Sequence, residues 1–186
     1  MLPTLFKKKE NLSTVLYDRT ARGLANRRDL IVKVLKRAYQ KELRASLYIF
    51  NNELILISAT TLIAETGSPK SLSLAASNEE IGIAVIDKLL ECCAVPYETA
   101  VAKKPSEWPC YVSSGAKSIR AFEEKSIHMR IETISTAIQI KARPVTTNKN
   151  LFVGATHSLG CEAEELGESV RLLSEAVLRL RKENEI

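Results

Sequence analysis

Leu72-Ser73-Leu74-Ala75-Ala76-Ser77-Asn78-Glu79-Glu80-Ile81-Gly82 decides the reading of this chain, because its last four residues return as Glu164-Glu165-Leu166-Gly167. Ser77 followed by Glu80 is a capping box, in which each side chain satisfies a free backbone donor at a helix start. The two acids fall in the first helical turn, where they complement the positive end of the helix dipole. The glycine lies inside the helix, where it costs about 1 kcal/mol relative to alanine. A glycine kept twice at that cost predicts close approach by another backbone. Capping and dipole effects already explain the acids, so they are read as structural before catalytic or partner-binding.

Working outward, more of the chain recurs. Arg37-Ala38-Tyr39 returns as Arg120-Ala121-Phe122, Asn51-Asn52 as Ser135-Thr136, and Leu54/Leu56 as Ile138/Ile140. The offsets are 83, 84 and 85 residues, a period too long for a solenoid. Two copies read better as pseudo-symmetric halves, about 30–93 and 117–181, each running helix, hairpin, short strand, helix. The expected fold class is α+β, with antiparallel strands from two related halves, each half ending in a long helix. The domain is expected over 27–186, after a partly disordered basic lead-in over 1–26.

The pattern turns helical at Asp29, where Ile31, Val34, Leu35, Ala38 and Tyr39 share a face at helical spacing. Leu47 to Phe50 and Leu54 to Ile57 flank Asn51-Asn52 and read as a hairpin, since Asn tolerates the positive φ of tight turns. That strand signal extends toward Ala64, and Gly67, Ser68 and Pro69 break it. A short strand over Leu72 to Leu74 then leads into the capped helix. Ile81, Ala84, Val85, Leu89 and Cys92 form one stripe, with Ile83, Ile86, Leu90 and Cys93 as a second; a helix apolar on two faces belongs in the centre. Residues 94–117 carry Pro96, Pro105, Pro109 and Trp108 and read as a connector.

Ile119 to Glu124 suggests a short helix. Ile127, Met129 and Ile131 alternate with His128, Arg130 and Glu132 as a half-buried strand does. Thr133 keeps the inward register, Ile134 leaves it, and Ser135-Thr136 turns the chain into the alternating Ile138, Ile140 and Ala142. Leu151 to Val153 reads as a further strand. A last helix is expected over about 162–181, with the stripe Leu166, Val170, Leu173, Val177 and Leu180.

Composition bounds the rest. With 186 residues, 45% hydrophobic and 26% charged, the chain has the makings of one folded domain with a sizeable core. No apolar run approaches the roughly 20 residues needed to span a bilayer. Met1 to Phe6 precede Lys7, Lys8 and Lys9, the reverse of the order in a secretory signal. The expected location is therefore cytoplasmic. Net charge is +5, yet residues 1–44 hold 12 Lys/Arg against 4 Asp/Glu, so the basic surplus is local. Such a segment suits nucleic acid, an acidic protein or anionic lipid, or simply a solvated helix face.

Motifs for chemistry are missing from the sequence. It has no phosphate loop, no G-x-G-x-x-G and no G-x-S-x-G elbow. Cys92, Cys93, Cys110 and Cys161 form no C-x-x-C pair and are expected as reduced thiols packed like small hydrophobes. His157 and Cys161 come near each other, but the sequence offers no evident remaining ligands for a structural zinc, so no metal is expected. His128 is read as facing solvent and His157 as lying in a loop. No catalytic or cofactor-binding residue is assigned, no cofactor is expected, and the chain is expected not to be an enzyme.

The repeated Glu-Glu-(Ile/Leu)-Gly helices resemble a group of immunity proteins from bacterial contact-dependent growth inhibition systems, the CdiI type. The pattern of that group is a short strand, a Ser/Asp-containing loop, then an acidic pair and Leu-Gly opening an apolar helix. Residues 72–82 follow it, and it returns in looser form from Val153 to Gly167. Trp108, Lys117, Phe122 and the strands near 127–142 fit the order of that family. The likeness covers roughly 70–180, while Tyr111 to Lys117 is thinner in aromatics and lysines than the family pattern and the basic first 44 residues have no counterpart in it. The resemblance implies a stoichiometric inhibitor that binds a cognate toxin domain, often a nuclease, inside the producing cell. It leaves the partner-binding residues unknown. Glu162, Glu164, Glu165 and Glu168 are the densest acids and would suit a basic toxin; the N-terminal segment would suit an acidic one. The competing reading is a nucleic-acid-binding domain, with Tyr17 and Tyr39 among Arg and Lys. A hairpin edge could also accept a partner strand.

Overall fold

The computed structural model describes residues 42–61, 64–92, 104–144 and 152–183. The repeat around Arg37-Ala38-Tyr39, the helix from Asp29, the lead-in and Cys93 lie outside the described residues.

Strands β1 (Arg44–Phe50), β2 (Leu54–Thr60) and β3 (Glu65–Ser73) precede helix α1 (Asn78–Cys92). A 3₁₀ turn at Pro105–Glu107 and the short helices α2 (Pro109–Ser114) and α3 (Ile119–Lys125) follow. The second half repeats the first: β4 (Ser126–Ile134), β5 (Ala137–Ala142), β6 (Val153–Ser158) and α4 (Ala163–Glu183). All six strands pair antiparallel in the order β3-β2-β1-β4-β5-β6. The fold is thus α+β, built of two βββα units whose first strands meet at the centre.

That central pair carries a two-fold relation. Ala45 pairs with Ile131 and Leu47 with Met129, so an offset of 84 maps each pair onto the other. One face of the sheet buries Leu47, Ile49, Ile55, Ile57, Ile127, Met129, Ile131, Ile138 and Ile140 against α1 and α4. Burying side chains of this size contributes about 1.5–3 kcal/mol each, which makes this face the main core.

The repeated glycines lie where the two helices touch. A Cβ on Gly82 would come 1.8 Å from the Ala163 carbonyl oxygen, and one on Gly167 would come 1.9 Å from that of Asn78. Ala163 and Asn78 are the first residues of α4 and α1, so each helix sets its glycine against the opening residue of the other. Two positive dipole ends are thereby brought side by side. Glu79, Glu80, Glu164 and Glu165, all in first turns, offset them.

Four expectations need correction. The correspondence of Leu54/Leu56 with Ile138/Ile140 is one residue out of register. The first hairpin turns through Asn51, Asn52 and Glu53 between the Phe50–Leu54 pair, the second through Ser135 and Thr136 alone. One extra residue reverses the face of everything after it, so Ile55 and Ile57 are the true partners of Ile138 and Ile140. Secondly, β3 is not a short strand at 72–74: it runs straight through Gly67, Ser68 and Pro69. It is an edge strand, where proline withholds no ladder bond, and an irregularity opposite Ile57 to Ala59 takes up Gly67 at φ +69°.

Thirdly, the stretch read as a connector does more than connect. Cys110 of α2, within that stretch, is buried on the second face of the sheet with Tyr48, Phe50 and Leu56, beside Phe122 of α3, the short helix expected from Ile119. Lastly, the strand expected at 151–153 is β6, Val153–Ser158, which moves His157 out of a loop and onto a strand.

Candidate functional site

Pattern along the strands locates the polar surface. β1 and β2 are buried continuously, whereas β4 and β5 alternate. Alternation means one solvated face. The second face is therefore covered over β1 and β2 and charged over β4 and β5.

At the covered end, Glu65 is buried at 4% exposure. It accepts the Tyr48 hydroxyl proton at 2.7 Å and the Cys110 backbone N–H at 3.2 Å. The Cys110 thiol donates to Ser58 Oγ at 3.3 Å. Burial, reinforced by the Glu65 charge, pushes both the Tyr48 phenol and the Cys110 thiol far up. A thiol kept protonated is a poor nucleophile, so this network is structural. Phe122 packs against the Tyr48 and Phe50 rings at 4.9 and 5.8 Å.

At the open end, His128 is exposed, as the alternation implied, and stacks on Tyr48 with centroids 4.6 Å apart. Four residues further along β4, on the same face beyond Arg130, lies Glu132, with Arg130 Nη2 at 2.8 Å, Lys141 Nζ at 3.1 Å and Arg44 Nε at 3.9 Å. Burial alone would raise the Glu132 carboxyl. The Lys141 hydrogen bond and the charges of Arg130, Lys141 and Arg44 outweigh it and hold the carboxyl low. Three cations surround this one carboxylate, and exposed Arg143 lies beside His128, its backbone N–H donating to the His128 carbonyl, so the face is cationic. The sequence marked these strands as alternating but could not show that Arg44 of β1 joins them.

The acids at the start of α4, Glu162, Glu164, Glu165 and Glu168, are all exposed. They form a local acidic surface on the helix side of the sheet, opposite in sign to the β4–β5 face. His157 points to the same helix side, pairing across from core residue Ile138, and its Nε2 lies 2.7 Å from Ser169 Oγ of α4. Ser169 is buried at 9% exposure, too deep in the strand–helix interface to attack a substrate. Cys161, in the turn before α4, and Glu165 bring their ligand atoms within 4.8 Å of that imidazole. The spacing His157-x₃-Cys161-x₃-Glu165 was visible in the sequence, but Glu165 joins the pair only because a strand, a turn and a helix fold back on one another. Cys110 is buried, and Cys92 donates its thiol to the Thr60 carbonyl at 3.1 Å. Among the described residues no helix is long and apolar enough to cross a membrane.

No protein-family model matches the chain, and no curated protein matches it. Among solved structures it is similar to a Neisseria meningitidis protein of unknown function, with TM-score 0.52 and 16% identity over 72% of this chain and 93% of that one. It is also similar to a chain of a CdiA-CT/CdiI toxin and immunity complex from Yersinia pseudotuberculosis, with TM-score 0.49 and 15% identity over 73% of this chain and 97% of that one. The likeness to the Neisseria protein is one of fold: two βββα halves about a central strand pair have a counterpart of nearly the same extent.

Proposed function

We propose that this chain is an immunity protein: it binds the toxin domain of a cognate contact-dependent growth inhibition effector one to one and neutralises it, catalysing nothing itself. The observation that carries this reading is the helix crossing. The Glu-Glu-(Ile/Leu)-Gly elements on which the sequence resemblance rests are the elements that lock α1 to α4. They hold the sheet and its charged surfaces as one rigid body, and a surface already in its bound shape loses little entropy on docking.

The chemistry is consistent with a binder. The buried thiol and phenol are held protonated, and the His157–Ser169 contact lies in the interface between β6 and α4, with Ser169 buried. A toxin of the nuclease class, basic where it grips its substrate, would meet the exposed Glu162, Glu164 and Glu168. The cationic β4–β5 face favours a second reading, nucleic acid, but the aromatic ring beneath it, Tyr48, is 6% exposed and offers bases no stacking platform.

Calorimetry with the toxin domain encoded beside its gene, at low and high salt, tests both. Saturable one-to-one binding that persists at high salt, with protection of cells making the toxin, is the expected outcome. Neither binding nor protection would remove the immunity reading. Binding to single-stranded nucleic acid that falls steeply with salt would favour the second.

A further inference from the structure

We propose that His157, Cys161 and Glu165 form a zinc site at the junction of β6 and α4. The three ligands come from a strand, the turn after it and the first turn of the helix. The turn is closed by the Cys161 N–H donating to the Ser158 carbonyl at 3.0 Å, and the three ligand atoms lie within 4.8 Å of one another. Imidazole, thiolate and carboxylate are the donors zinc takes, at bond lengths of about 2.0–2.3 Å. A tetrahedral ion would set its ligand atoms roughly 3.5 Å apart. Closing the remaining gap needs only rotation of Glu165, which is exposed, and Cys161, which is half-buried.

The imidazole is already oriented. Nε2 lies 2.7 Å from Ser169 Oγ; in the tautomer whose Nε2–H donates there, Nδ1 carries the lone pair and can face the metal. A histidine ligand whose other nitrogen is fixed by a hydrogen bond is the usual arrangement.

The first half shows that the fold does not require this trio. An offset of 85 puts Leu72, Ala76 and Glu80 in the corresponding places, and Leu72 and Ala76 pack against the core. Glu80 is tied into the capping box, accepting from the Ser77 N–H at 2.8 Å and the Ser77 hydroxyl at 3.0 Å. Glu162 replaces that serine in the second half, so the same reciprocal cap cannot form and Glu165 is released from it. Where the first half has two apolar residues and a capped acid, the second half has three residues with ligand atoms, all at one locus.

Thiolate and carboxylate together neutralise the ion's two positive charges. Binding displaces the Cys161 thiol proton to solvent, so affinity rises with pH as the thiol gives up its proton. Three protein ligands leave a fourth position for water. The site would pin edge strand β6 to α4, and it does not depend on the immunity reading.

The test uses the full-length, metal-free chain titrated with zinc chloride by calorimetry, and with cobalt(II) followed by absorption. Expected are one equivalent bound, a higher melting temperature, and a cobalt–thiolate charge-transfer band that Cys161→Ser abolishes. Cys161→Ser, His157→Gln and Glu165→Gln should each weaken binding by more than about tenfold, and Ser169→Ala, a positioning residue, by about tenfold. Cys92→Ser should bind as the wild type does. Glu165→Gln changes an exposed side chain and keeps the fold, so it remains decisive if a His157 variant unfolds. Absence of saturable zinc binding, or wild-type affinity in both Cys161→Ser and Glu165→Gln, would overturn the proposal.

Discussion

Among the described residues, the N-terminal half of the sheet is covered on both faces, by α1 on one side and by α2 and α3 on the other, whereas the C-terminal half is covered on one face. Related backbones thus carry different surfaces. In β1 and β2 the outward positions are apolar, Tyr48, Phe50 and Leu56, and the short helices have something to cover. In β4 and β5 the same positions are His128, Arg130, Glu132, Gln139 and Lys141, and the face stays wet. Duplication fixes the scaffold, and divergence on one face creates the surface available for recognition.

The largest expected effect breaks the covered side. Phe122→Ala should cost about 4 kcal/mol in denaturant unfolding, since a fully buried aromatic leaves a cavity behind. A loss under about 1 kcal/mol would mean that α3 is not part of the core. The glycines test the equivalence of the halves. Gly82→Ala and Gly167→Ala should each cost about 3 kcal/mol, because neither Cβ can be accommodated without moving backbone. Closely similar losses would support a true two-fold; a harmless Gly167→Ala would break it.

Arg171 sharpens the contrast. From α4 it reaches into the first half, donating to Asn78 Oδ1 at 2.6 Å, to the Leu74 carbonyl at 2.8 Å and to the Ala76 carbonyl. An offset of 85 places Ile86 at the corresponding point of α1, so the clasp runs one way. Arg171→Met should cost about 2 kcal/mol, the scale of charge-assisted hydrogen bonds. Ser77→Ala should cost about 1 kcal/mol by removing a helix cap. The smallest effect is electrostatic. The Glu132 carboxyl is held low in the folded state, so its contribution is present above the unfolded value of about 4.3 and lost as pH falls through the lowered folded one. Glu132→Gln should flatten that acid limb and cost about 0.5–1 kcal/mol at neutral pH.

Much of this was legible in the sequence where one interaction decides the outcome. The Ser77–Glu80 cap, the two crossing glycines and the alternation from Ile127 each follow from local spacing, and each recurs in the fold. The hairpin register was not legible. Whether a turn takes two residues or three depends on backbone conformation, with Asn51 and Asn52 both at positive φ, and that single residue decides which face Leu54 and Leu56 occupy. The length of β3 was hidden because a proline that breaks a central strand is tolerated at an edge, and edge position is a property of the assembled sheet. The candidate sites were half legible: His157 and Cys161 are close in sequence, whereas Glu165 and the Arg44–Glu132 contact are brought in by folding.

The meeting of β1 and β4 at the sheet centre has a consequence for how the chain comes apart. Neither half contains its own central pairing, so each depends on a partner strand about 84 residues away. Such long-range closure makes folding slow relative to helical proteins of this size and binds the halves into one cooperative unit. Amide exchange should follow the same geography, slowest in β1 and β4 and faster outward to β3 and β6.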